Sequence, residues 1–207
     1  MTYHLLRLLA RIITRLTTRA EIIGAENVPR EPPYLLVTNH LSALDLPVVV
    51  LAFPHPIRPF AAREHRSNLL FAPILNGAKA IWVRRGEVDR RALREALAVL
   101  ERGEALGVAP EGTRADETHA LQPAKPGVAY LGTRADVPIV PAGIAGTEKI
   151  KHNLLRLRRT PVRIAVGEPF HLPKTKRART DELREYTDMI MHRIAELLPP
   201  EYRGVYG

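Results

Sequence analysis

The sequence predicts a single α/β domain with a mostly parallel central sheet flanked by helices, preceded by an amphipathic helix over residues 1–20. Three observations predict it. Short apolar runs alternate with helix-period segments, the pattern of strands joined by crossover helices. Of 207 residues, 45% are hydrophobic, enough to fill one substantial core. No linker-like stretch, internal repeat or low-complexity tract interrupts residues 21–207, so we expect them to form one unit.

The elements follow in chain order. Arg7, Arg11, Arg15 and Arg19 recur every fourth residue, with Leu5, Leu6, Leu8, Leu9, Ile12, Ile13 and Leu16 between them and no acidic residue before Glu21. On a helix this makes a basic stripe beside a broad apolar face. The arginines break every apolar run, so the segment reads as neither a secretory signal nor a membrane span. It suits either the plane of a bilayer interface or a terminal helix docked on the core with solvated arginines. After the turn-rich Gly24 to Pro33, strands are expected at 34–38, 57–61, 80–83, 106–109, 138–143 and 162–166. A helix capped by Asp89 places Leu93, Leu97 and Leu100 on one face and stops at Gly103. Another runs from a Thr180 cap to Pro199-Pro200.

Composition narrows the function. The absence of cysteine excludes disulfides, thiolate metal sites and a cysteine nucleophile, and is compatible with a reducing compartment, with the cytoplasm as default. The formal net charge of +9 attracts phosphate, whether in nucleic acid, lipid headgroups or a phosphorylated substrate. Aromatics make up only 5% of residues, and no basic-aromatic interleaving or nucleic-acid motif is present, which argues against nucleic acid. No His-Glu-x-x-His motif or acidic cluster suggests a metal.

The chemistry concentrates in two segments that each follow an expected strand. Asn39-His40-Leu41-Ser42-Ala43-Leu44-Asp45 carries a histidine and an aspartate five residues apart. Such a pair occurs by accident about 0.2 times in a chain with this many of each, so alone it decides little. In an unbroken helix the two side chains would diverge by roughly 140°. They meet only across a loop, with Asp45 at or near a helix N-cap, a position that the following Leu46-Pro47 suits. Asp45 would then fix the imidazole tautomer and leave His40 free to take a proton from a hydroxyl. The bland alternative is a histidine satisfying backbone groups beside an ordinary Asp cap. Only Ser42 and Ser67 could serve as serine nucleophiles, and neither sits in Gly-x-Ser-x-Gly, so Ser42 is given a supporting role and direct attack by a substrate hydroxyl is preferred.

The second segment, Pro110-Glu111-Gly112-Thr113-Arg114, combines closely approachable backbone amides with a guanidinium, a plausible phosphate cradle or else an exposed turn. The role of Glu111 stays open between holding Arg114, touching an acceptor and bracing the loop. Arg84 and Arg85 end an expected strand, and Lys125 opens a helix; each would add a cation near an anionic substrate.

Four blocks in order resemble the glycerolipid acyltransferases, most closely the 1-acyl-glycerol-3-phosphate (lysophosphatidic acid) acyltransferases. They are Asn39 to Asp45, Gly77 to Arg85, Pro110 to Arg114, and Val137 to Gly143; Gly24 to Pro29 and Lys125-Pro126-Gly127 extend the likeness over roughly residues 21 to 147. The resemblance implies a glycerol-3-phosphate acyltransferase-like fold and an acyltransferase domain over 21–207. It implies His40 as general base with Asp45 as partner, supported by Asn39 and Ser42. Arg85, Glu111, Gly112, Thr113, Arg114 and Lys125 would hold the acceptor. The donor would be acyl-CoA or an acyl-[acyl carrier protein], with no bound cofactor or metal. It also implies work at an anionic membrane surface, peripherally on the cytoplasmic face. Ala109, Ala115 and Arg84 stand where an aromatic, a serine and an acidic residue are frequent, which bears on acceptor identity. The expected product is phosphatidic acid. The same chemistry on glycerol 3-phosphate, another lysophospholipid or a glycolipid is the first alternative, and a non-catalytic module binding anionic lipid is the second.

Overall fold

The computed structural model describes residues 2–69, 71–84, 86, 89–175 and 178–207. In chain order the regular elements are α1 (Thr2–Thr17), β1 (Thr18–Ile23), β2 (Leu35–Thr38), α2 (Asp45–Ala52), β3 (Ile57–Ala62), α3 (Phe71–Gly77), β4 (Ile81–Val83), α4 (Arg90–Glu101), β5 (Ala105–Val108), α5 (Gly127–Ala135), β6 (Ile139–Ala145), α6 (Ile150–Leu154), β7 (Thr160–Val166) and α7 (Thr180–Glu196). The seven strands form one sheet in the order β1-β7-β6-β2-β5-β3-β4. The run from β6 to β4 is parallel throughout. β7 pairs antiparallel with β6 and carries β1 beside it in parallel, which makes the sheet mostly parallel, as expected.

Both faces of the sheet are covered, and the strand pleat decides which residue serves which face. Along β2, Leu35 and Val37 point into one core with Ile139, Leu100, Ile190 and Ile194, so α4 and α7 close that side. Leu36 points the other way with Tyr34, Val140, Ile144, Val49 and Phe53, where α2 packs. All seven residues of β6 are buried, which accounts for the unbroken apolar run in its sequence.

Helix ends follow the local chemistry. Asp89 accepts the Ala92 amide at 3.0 Å to start α4, and Gly103 leaves it with φ of 78°. α7 begins at Thr180 as its first helical residue, with extended Arg179 as the cap and its amide bound to Glu182 at 2.6 Å. The opening helix is shorter than the 1–20 read from sequence. Thr17 is its last residue, and Thr18 to Ile23 continue as β1, which was not among the expected strands. β1 is an edge strand with only Thr18 buried, so it lacks the apolar run that marks the interior strands.

Candidate active site

The parallel strands β6, β2 and β5 lie side by side, and the loops leaving their carboxyl ends converge, as ligand sites in open α/β sheets do. β2 delivers Asn39 and His40, β5 delivers Pro110 and Glu111, and β6 delivers Gly146 and Thr147.

Asn39 extends the strand pairing by one side chain. Its Nδ2 donates to the Ile144 carbonyl and its Oδ1 accepts the Ile144 amide, both at 2.8 Å, so β2 and β6 stay joined where β2 ends. His40 follows, and its backbone is held from the neighbouring loop. Its amide donates to Glu111 Oε1 at 3.1 Å, and its carbonyl accepts the Ala115 amide at 2.8 Å.

The chain then turns tightly into α2. Ser42 Oγ accepts the Leu44 amide at 3.1 Å, and Asp45 is the first residue of the helix. Asp45 Oδ2 accepts the amides of Leu41 and Ser42 at 2.8 and 2.9 Å, and lies 2.7 Å from His40 Nδ1. An oxygen already facing two donors meets Nδ1 as an acceptor, so Nδ1 carries the proton and Nε2 keeps its lone pair. The Asp45 side chain is 7% exposed and that of His40 32%, which leaves the ring accessible and its partner sheltered.

The other carboxylate oxygen is occupied as well. Thr147 Oγ1 donates to Asp45 Oδ1 at 2.5 Å, across 102 residues of sequence. Gly146 makes the turn that presents Thr147. Its φ is 91°, and a β-carbon there would sit 2.4 Å from the Pro161 carbonyl oxygen. Glu148 beside it accepts the Tyr202 hydroxyl at 2.8 Å. Burial, then the adjacent Glu148 carboxylate, push the Tyr202 phenol well above its ordinary range, so it remains a donor.

Glu111 is turned inward, with 3% exposure. Its oxygens accept the amides of His40 and Gln122, the latter at 3.0 Å. Burial raises its pKa against the lowering effect of those two amides. In this arrangement Glu111 braces the loop, the third of the roles its sequence left open. Gly112, Thr113 and Arg114 are exposed next to it, and Arg114 makes no ion pair among the described residues. Gly112 has φ of 70°, and the Lys125 side chain lies over it, 3.2 Å from where a β-carbon would stand. Lys125 is tied in place by its amide, which donates to the Pro110 carbonyl at 2.9 Å. Arg84 is exposed; Arg85 lies outside the described residues.

Thus hydrogen bonds join His40, Asp45, Ser42 and Glu111; Asn39 anchors the end of β2 just before them, Lys125 lies over Gly112 beside Glu111, and Thr113 and Arg114 follow in the exposed part of that loop. Sequence reasoning missed Thr147 and Tyr202. Only the Val137 to Gly143 block, which leads the chain toward Gly146, pointed near the first; nothing local marks either side chain. Among the described residues no cluster of three histidine, cysteine, aspartate or glutamate side chains could hold a metal ion.

Comparison with known proteins identifies the family. The acyltransferase family model matches residues 19–145, more than half of the chain. The chain belongs to the acyltransferase family. It is an enzyme of that type. A 1-acyl-sn-glycerol-3-phosphate acyltransferase of Bacillus subtilis is 25% identical over 194 residues, which cover 90% of this chain and 92% of that protein. The 1-acyl-sn-glycerol-3-phosphate acyltransferase alpha of Ovis aries is 29% identical over 187 residues, covering 84% of this chain and 61% of the relative's length. The crystal structure of the 1-acyl-sn-glycerophosphate (LPA) acyltransferase PlsC from Thermotoga maritima superposes with a TM-score of 0.71 over 93% of this chain and 76% of that one. At 24% identity, that match supports the fold.

Proposed function

We propose that this acyltransferase moves a fatty acyl group from an acyl thioester, on coenzyme A or acyl carrier protein, to the free hydroxyl of a lysophosphatidic acid. The observation that carries the reading is the His40–Asp45 pair at 2.7 Å, with the carboxylate fixed by three further donors. His40 Nε2 takes the proton of the acceptor hydroxyl as its oxygen attacks the thioester carbonyl. The tetrahedral intermediate collapses, the C–S bond breaks, and the leaving thiolate takes the proton back from His40. Asp45 stabilises the imidazolium that exists between these two transfers. Arg114 and Lys125, with Arg85, supply cations for the acceptor phosphate, and the exposed Gly112-Thr113 backbone approaches it. The names of the relatives support this acceptor class.

The reaction is assigned to the cytoplasmic face of a membrane, with α1 as a peripheral anchor. Leu5, Leu8, Leu9, Ile12, Ile13 and Leu16 span roughly 140° of α1 at 100° per residue, and each is 46–70% exposed. On the opposite side of the helix Thr14 is buried, with Oγ1 3.4 Å from the Pro47 carbonyl oxygen. An amphipathic helix that turns its apolar face away from its own protein fits an interfacial position. Arg11 and Arg15 of α1 join Arg19 of β1 and Arg159 around a hollow of about 390 Å³ that Glu21 also lines, a net cationic border for anionic headgroups. No described helix is long and apolar enough to cross a membrane.

The test is thiol release from acyl thioesters with and without lysophosphatidic acid. Release that depends on the acceptor and disappears in a folded H40A variant is the expected result. Equal release without acceptor, or full activity of H40A, would overturn the mechanism.

A further inference from the structure

The segment between α6 and β7 has no part in the site. Leu154, Leu155 and Leu157 are 50%, 80% and 95% exposed, with Lys151, Arg156, Arg158 and Arg159 among them and no acidic residue from Lys149 to Gly167. This projection is ordered by its own backbone: Leu157 donates to Leu154 and Arg158 to Asn153, at 3.0 and 2.9 Å. Asn153 Nδ2 also donates to Thr160 Oγ1 at 3.1 Å. Leu157 is held at φ of 54°, a left-handed conformation that disfavours a residue with a β-carbon. A strained leucine presented almost wholly to solvent contributes nothing to the core.

The projection adjoins the carboxyl end of α1. Arg159 donates from Nε and Nη2 to the Thr18 carbonyl at 3.0 and 2.6 Å, and Thr160 pairs in register with Thr18. Arg159 also borders the hollow beside α1, where four arginines outnumber the one carboxylate, Glu21, so a net cationic surface links the helix to the projection. We infer that residues 154–158 form a second membrane-inserting element, placing Leu155 and Leu157 below anionic phospholipid headgroups that Arg156 and Arg158 engage. The inference rests on the membrane attachment proposed for α1 and extends it to a second, separate contact. Leucines carried among arginines suit an anionic bilayer, since the side chains leave water while the cations stay at headgroup depth. A second copy of the chain is a poorer occupant, because like charges would face each other.

Trp82 is the sole tryptophan, so the full chain in a W82F background accepts one reporter at a time. W82F/L157W and W82F/I12W are mixed with vesicles of phosphatidylcholine alone, or of phosphatidylcholine with phosphatidylglycerol, each with and without bromine-labelled acyl chains. Expected are a blue shift and bromine quenching of L157W with the anionic vesicles, and a loss of vesicle partitioning in L155S/L157S of about tenfold or more. Quenching of I12W without quenching of L157W overturns the second element and leaves the α1 anchor standing. Absence of both signals, with no co-sedimentation, overturns both. A blue shift of L157W that needs no vesicles and grows with protein concentration assigns the surface to self-association and overturns the inference.

Discussion

Asp45→Asn tests the catalytic pair at nearly constant geometry. In the wild type Oδ2 faces three donors and Oδ1 faces the Thr147 hydroxyl. An asparagine carbonyl placed at Oδ2 accepts the same three hydrogen bonds, and its amide meets Thr147, whose hydroxyl rotates to accept. The opposite orientation would aim the amide at three donors, so the first is fixed. What disappears is the negative charge beside the imidazolium. With charge centres about 4 Å apart and an effective dielectric of about 20, that interaction is about 4 kcal/mol. The partial exposure of His40 reduces it to about 2–4 kcal/mol, or roughly a 30- to 1000-fold loss. The assay is initial-rate thiol release at saturating thioester, with thermal unfolding run in parallel. Since Asp45 acts through His40, the H40A/D45N double variant should be no slower than H40A. A folded D45N variant within about threefold of wild type would refute the electrostatic account. Extra loss in the double variant would show that Asp45 acts independently of His40.

Thr147→Val removes the donor to Asp45 Oδ1 and leaves a buried carboxylate oxygen unpaired, costing about 1–3 kcal/mol of stability. Activity should fall by about tenfold and return in Thr147→Ser; equal impairment of both variants would exclude the hydroxyl as the cause. Asn39→Leu deprives the Ile144 amide and carbonyl of partners, so denaturant unfolding should show a loss of at least about 2 kcal/mol. Glu111→Gln keeps one acceptor but turns its amide toward a donor, and should cost about 1–3 kcal/mol at neutral pH. Because burial raises the Glu111 pKa above its ordinary 4.5, its protonation favours the folded state. That contribution is complete below 4.5 and is lost as pH rises through the raised value, so wild-type stability relative to E111Q should decline across that window. A difference that stays flat with pH would refute the assignment.

The parts of this protein that the sequence displays are those where local pattern and burial coincide. The apolar runs of β2, β5 and β6 lie in the middle of the sheet, so their composition alone marks them. β1 escapes notice because Arg19 continues the arginine spacing of α1 while the backbone has already become an exposed edge strand. At the site, the five-residue separation of His40 and Asp45 forces a loop, and the proline after Asp45 suits the start of a helix, so the pair is legible. The inward turn of Glu111 is not, because its partners are backbone amides with no residue identity to read. Thr147 and Tyr202 depend on contacts across 102 and 54 residues, and only the assembled sheet brings those groups together.

Tyr202 and Tyr206 act as a clasp over loops made much earlier in the chain. Tyr202 accepts the Leu121 amide and donates to Glu148, while Tyr206 accepts the Ala124 amide. One loop carries Gln122, which binds Glu111, and the other carries Thr147, which binds Asp45. The residues up to 150 include the His40–Asp45 pair and the Thr147 hydroxyl that binds it, whereas the bonds that secure the two loops from outside come from Tyr202 and Tyr206. Trimming the chain's last turns would therefore loosen the loops that carry Gln122 and Thr147 while leaving both members of the catalytic pair in the polypeptide.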